Sequence, residues 1–164
     1  MKIGKKTLMF GTLLLLCSFS IGLLAEAKPD RAILTFEFVW DSYGYPERDW
    51  TTNGGIYHSI QTPHYGSVTP THTDFAGDVY YCGNLVLFDP AMWLGLGGGE
   101  FIFDGTYDGE TAEFIGKLHF KIENFQITGK LNCFGTGIFE GNHIKGISLG
   151  SLGGATIVQI SIWN

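Results

Sequence analysis

The clearest signal in this chain is an alternation of apolar and polar positions over residues 113–133. Phe114, Leu118, Phe120 and Ile122 fall on one side of an extended chain, and Glu113, Lys117, His119 and Lys121 on the other. Successive side chains of a strand point to opposite faces, so this period of two puts one face in a core and the other in water. Glu123 and Asn124 read as a turn, and Phe125, Ile127, Leu131 and Cys133 as the inward row of the next strand. Both ends of the region after residue 30 repeat the pattern. Phe36, Phe38 and Trp40 alternate with Thr35, Glu37 and Val39, and Val158, Ile160 and Ile162 with Ile157, Gln159 and Ser161. Residues 55–61, 77–88, 100–104, 138–140 and 142–149 read as further strands. Residues 41–49, 62–77 and 89–99 read as loops because they carry Gly, Pro and polar side chains, the last with one helical turn at 90–94.

This spacing predicts an all-β domain of about eight short antiparallel strands. The chain holds 24 glycines. Glycine inside strands marks bulges, bends and close approaches, which small closed barrels need at their corners. A single antiparallel barrel is therefore the first expectation, and a two-sheet β-sandwich the alternative.

The N-terminus changes the picture of where this domain works. Lys2, Lys5 and Lys6 precede an uncharged apolar run over residues 7–24, and Ala25-Glu26-Ala27 follows. A charged start, an apolar middle and a small-x-small end mark a secretory signal peptide, with cleavage expected after Ala27. The expected organisation is a signal segment at 1–27 and one β domain at 28–164, secreted or held in the cell envelope. The run is also near the lower limit for spanning a bilayer, so an uncleaved anchor is one alternative. Lipid attachment at Cys17 is another, disfavoured by Leu16 in front of it.

Loss of the signal removes three Lys and one Glu and takes the net charge from −6 to −8. An acidic surface repels phosphate backbones, which argues against nucleic acid as a partner. Cys82 and Cys133 are the cysteines that remain. Two cysteines in an exported chain usually pair, so a Cys82–Cys133 disulfide is expected, stabilising by about 4 kcal/mol. Neither sits in a C-x-x-C pair that would suggest a metal or redox centre.

The segments Gly105-Thr-Tyr-Asp-Gly-Glu110, Phe114-Ile-Gly116 and Gly135-Thr-Gly-Ile-Phe-Glu-Gly141 carry a resemblance. Their glycine-punctuated strands resemble those of the allene oxide cyclase and dirigent barrel superfamily, over about a third of the chain near its C-terminus. The resemblance implies an eight-stranded antiparallel barrel with an apolar interior, and association with copies of itself. No counterpart of that superfamily's catalytic or binding residues is found here. The first half of the domain has no match in it.

Candidate chemistry is sparse. Trp40, Tyr43, Tyr45 and Trp50 crowd the first loop, where flat aromatic faces can stack on sugar rings or close over an apolar ligand. Packing over one end of the core is the simpler account of them. Tyr57, Tyr65, Tyr80 and Tyr81 extend the same surface or simply pack. His58, His64 and His72, with Asp74 and Asp78, share a polar stretch, but their spacings match no metal signature, so no metal site is assigned. Gly146-Ile-Ser148-Leu-Gly150 fits G-x-S-x-G, yet a nucleophile elbow needs a following helix, and no His follows Ser148. Nothing selects an acid–base pair among Glu100, Asp104, Asp108, Glu110 and Glu113. His119 should face water, and His143 shares a face with Phe139 and Ile147 and reads as half-buried. No motif implies a cofactor. The leading expectation is a non-catalytic module that binds a small apolar or carbohydrate ligand. A self-associating structural protein of the cell envelope comes second, and a cyclase- or hydrolase-type enzyme third.

Overall fold

The structure, a computed structural model, describes residues 32–68 and 74–163. The signal segment, its cleavage point, Cys17 and His72 lie outside the described residues. Those described form one all-β unit with nine strands. They are β1 (Ala32–Tyr43), β2 (Arg48–Thr51), β3 (Tyr57–Val68), β4 (Phe75–Asp89), β5 (Leu94–Tyr107), β6 (Glu110–Glu123), β7 (Gln126–Gly137), β8 (His143–Ser151) and β9 (Ala155–Trp163). From β2 onward each strand pairs antiparallel with the next, and β1 pairs with both β9 and β3. The sheet therefore closes into a ring, and among the described residues no second sheet forms as a sandwich would require. β2 prolongs the path of β1 along the same edge of β3. Across the break, Gly44 N donates to Pro63 O at 2.8 Å and Glu47 N to Ile60 O at 3.0 Å.

Closure explains several strands that local composition hides. Residues 41–43 and 48–49, read as loop, are strand together with 50–51 because β3 supplies their partners. So are 62–68, where Pro63 is tolerated beside a bulge between Ser59 and Thr62. Gln61 adopts φ 53° at that bulge, and its N donates to Asn84 Oδ1 at 3.0 Å. Residues 94–99 are strand as well, and only 90–93 form the turn before them. The reverse correction applies to 138–140. This is a turn, and it folds Phe139 into the ring's interior over Gly135, where a Cβ would lie 2.5 Å from Phe139 Cβ. Two tight hairpins carry the left-handed residues expected of two-residue loops: Asp108-Gly109 between β5 and β6, and Asn124-Phe125 between β6 and β7. Phe125 thus belongs to the turn and is exposed, not part of the inward row.

The alternation reads correctly along β1, β6 and β9. Their inward side chains, among them Phe36, Phe38, Phe114, Val158, Ile160 and Ile162, are buried. At one end of the ring Phe36, Phe75, Phe103, Phe114 and Phe139 fill the cross-section. Phe103 and Phe114 lie 4.9 Å apart between centroids, Phe36 and Phe75 5.2 Å, and Phe114 and Phe139 5.3 Å. These are the offset and tilted separations aromatic pairs prefer.

The expected Cys82–Cys133 disulfide is absent, and both thiols are free. Cys133 points inward from β7, fully buried opposite Gly116. Cys82 points outward from β4, where its Sγ donates to Gln61 Oε1 at 3.2 Å. β5 and β6 stand between them, and three strand spacings of about 4.8 Å exceed any disulfide span. Burial pushes the Cys133 thiol up to about 12, so it stays protonated and inert. In the folded protein without reductant, iodoacetamide should modify Cys82 and spare Cys133. Unfolding should expose both, as peptide mass mapping will show. Truncation of Phe114 to Ala should lower stability by about 3–5 kcal/mol in denaturant unfolding.

Candidate functional site

The opposite end of the ring is not filled. The inward row of β5 changes character half-way: Gly95, Gly97 and Gly99 come first, then Phe101 and Phe103. With inward glycines also at Gly83 on β4, Gly129 on β7 and Gly150 on β8, side chains leave much of this end empty. A cavity of about 520 Å³ results. Phe38, Phe101, Leu131 and Val158 form its inner part, and Tyr43, Pro46, Trp93, Leu152 and Gly153, from the strand ends and turns, its rim.

The glycines also let larger side chains lie flat on the wall. A Cβ at Gly83 would come within 2.1 Å of Tyr81 Oη, and one at Gly97 within 2.2 Å of the Phe120 ring. Tyr81 and Phe120 meet edge-on at 5.7 Å. At the rim, Trp93 has φ 48°, and its ring lies 6.2 Å from that of Phe125 in the turn between β6 and β7. Left-handed backbone is unfavourable at a residue as bulky as Trp93.

The wall is mainly apolar, with no Asp, Glu, Lys or Arg among its lining residues. Its polar groups are neutral. Ser59, on β3, accepts from Thr62 Oγ1 at 3.2 Å. The hydroxyls of Tyr81 and Thr156 are buried without a hydrogen-bond partner, an unusual state for buried polar atoms. Burial also raises the Tyr81 pKa, so it remains a neutral phenol. His64, on β3, is packed among the rings of Tyr43 at 5.0 Å, Tyr81 at 5.5 Å and Trp40 at 5.6 Å. Its pKa is lowered by burial, which disfavours the imidazolium.

Of the four aromatic residues singled out in the first loop, the ring brings two to the cavity. Trp40 and Tyr43 line it. Tyr45 stands 96% exposed, and Trp50 stacks on His58 at 4.7 Å, with the Arg48 guanidinium 5.1 Å from its ring. Trp50 and His58 thus form a surface pair away from the cavity, and among the described histidines only His64 lines it. Among the described residues no group of three metal-ligating side chains converges. Ser148 lies on the wall in β8, a strand with no helix behind it. His143 lies on the outer face, its Nε2 2.7 Å from Asn132 Oδ1 and its ring stacked on Phe134. Trp93 and Thr156 escape a reading by local pattern, while Phe120, read as inward, and Tyr81, read as extending the aromatic surface or packing, both line the cavity. The signal that could place the latter two there is the glycine beside or across from an aromatic residue, Gly83 for Tyr81 and Gly97 for Phe120. No family model matches the chain, and no curated protein matches it.

The lowered His64 pKa has a consequence for stability. In the unfolded chain His64 takes up a proton near pH 6.5, while in the folded chain it stays neutral to lower pH. The stability this difference carries is full above about pH 6.5 and is lost as pH falls through the folded value. The melting temperature of the wild type should therefore fall more between pH 7.5 and pH 5 than that of His64→Leu.

Proposed function

We propose that this protein is an exported, non-catalytic binding module: a small antiparallel barrel whose open end takes one small apolar molecule. The carrying observation is the 520 Å³ cavity of mostly apolar lining. That volume suits a ligand of modest size, and such sites typically combine apolar walls with a few placed polar groups. An empty apolar cavity of this size lowers stability, because lining atoms lose their packing partners. Occupation by a ligand would offset that loss. Trp40 and Tyr43 favour the same reading as flat walls near the mouth. A sugar fits less well, since most of its hydroxyls would find only hydrocarbon. The outer face supports a water-exposed barrel. Asp78, Glu100, Asp104, Lys117, Lys130 and Lys145 stand exposed along the strands, where a lipid-facing band would be apolar.

N-phenyl-1-naphthylamine, a neutral apolar fluorophore, tests the reading. Its emission should rise saturably at one molecule per chain, with energy transfer from Trp40 and Trp93. Leu118→Trp, which fills the cavity from β6, should weaken binding at least about tenfold with its melting temperature kept. Absence of saturable binding to the wild type, or unchanged binding to a folded Leu118→Trp protein, refutes it.

A further inference from the structure

The chemistry of the wall narrows the class of molecule. This step rests on the reading of the cavity as an apolar ligand site and goes on to say what polar group the ligand carries. Three observations bear on it. First, no Asp, Glu, Lys or Arg lines the cavity, so an ionised head group would enter without a fixed counter-charge. Burying an unpaired charge is among the most unfavourable steps in protein chemistry. Second, the ionisable side chains of the inner wall are held neutral. His64 is kept from protonation and Tyr81 from ionisation, in both cases first by burial. Third, His64 packs against three aromatic rings, and none of the hydrogen bonds found among the described residues engages its imidazole. A neutral imidazole offers one donor and one acceptor. A hydroxyl, which both donates and accepts, can pair with either nitrogen, giving its proton to the bare one or accepting from the N–H.

We infer that the cavity selects an uncharged, hydroxyl-bearing apolar molecule, an alcohol rather than a fatty acid or an amine, with the hydroxyl placed against His64. The Tyr81 ring packs on the same imidazole at 5.5 Å between centroids and fixes one side of it. The acidic surface of the chain would by itself favour a cation. A preference for the neutral molecule therefore has to come from the cavity wall.

Displacement of bound N-phenyl-1-naphthylamine at pH 8 by 1-decanol, decanoate and decylamine separates these outcomes at one chain length. Decanoate must either keep its charge in hydrocarbon or take up a proton, and at pH 8 protonation alone weakens it by about a thousandfold. Decanol should displace the probe at a concentration at least about tenfold below either ion. Measured against the affinity of the probe for the same variant, His64→Leu should weaken decanol about fivefold, the size of one neutral hydrogen bond. His64→Gln, which retains a donor and an acceptor, should restore most of that loss. Equal or better displacement by decanoate or decylamine overturns the inference, while bound probe leaves the apolar-site reading standing. Unchanged decanol affinity in a folded His64→Leu protein overturns it too. If neither variant binds the probe, the wild-type ranking of the three competitors decides. Failure of the probe to bind the wild type removes the apolar site itself, and this inference with it.

Discussion

Closure of the sheet through the pairing of β1 with both β9 and β3 is the constraint on which the rest depends. Once the ring closes, its interior has a set width, and inward side chains must fill that width or leave it empty. Where the inward rows carry phenylalanine, five rings fill one end at contact distances. Where they carry glycine, the same backbone encloses empty space. β5 spans both regimes within one strand, from Gly95, Gly97 and Gly99 to Phe101 and Phe103. The packed end supplies burial that holds the ring together, and the open end spends part of that stability on a cavity.

The same division governs the electrostatics. Charged side chains take the outward positions of the strands, so the interior contains only neutral polar groups. In such surroundings a histidine is held uncharged by burial, and a phenol likewise. The cavity can therefore offer hydrogen bonds but no compensating charge. Leaving a charge unpaired in such surroundings is far worse than leaving a methylene in contact with the wall. The bulges at Ser59–Thr62 and Leu87–Asp89 lie towards the open end and bend the strands that form its rim.

Much of the strand content is legible in the sequence, for a physical reason. A strand with one face inside and one in water alternates by necessity, so Phe36 and Phe38, Phe114 to Ile122, and Val158 to Ile162 declare both their structure and their inward face. The segments misread as loops share a different property. Residues 62–68 and 94–99 contain Pro63 and a run of glycines, which locally signal turns. They are extended because partners distant in sequence hydrogen-bond them: Asp78 to Gly83 for the first, and both Leu85 to Asp89 and His119 to Ile122 for most of the second. The disulfide expectation fails on the same ground. Cysteine count gives a pairing only when geometry allows it, and here the two thiols point to opposite faces of the ring.

The candidate site divides in the same way. The chain alone determined the aromatic richness near Trp40 and Tyr43 and the strands that carry them, because these follow from residue type and local period. It could not determine that Tyr45 and Trp50 turn to solvent, or that Tyr81, Phe120 and Thr156 share one cavity wall with His64. A side chain's parity along a strand tells which face it takes. What it meets on that face depends on which strands close the ring, on their register, and on where glycines stand beside or opposite it. Those were decided only by the tertiary structure, because the space inside a closed sheet belongs to all its strands together and to no single one of them.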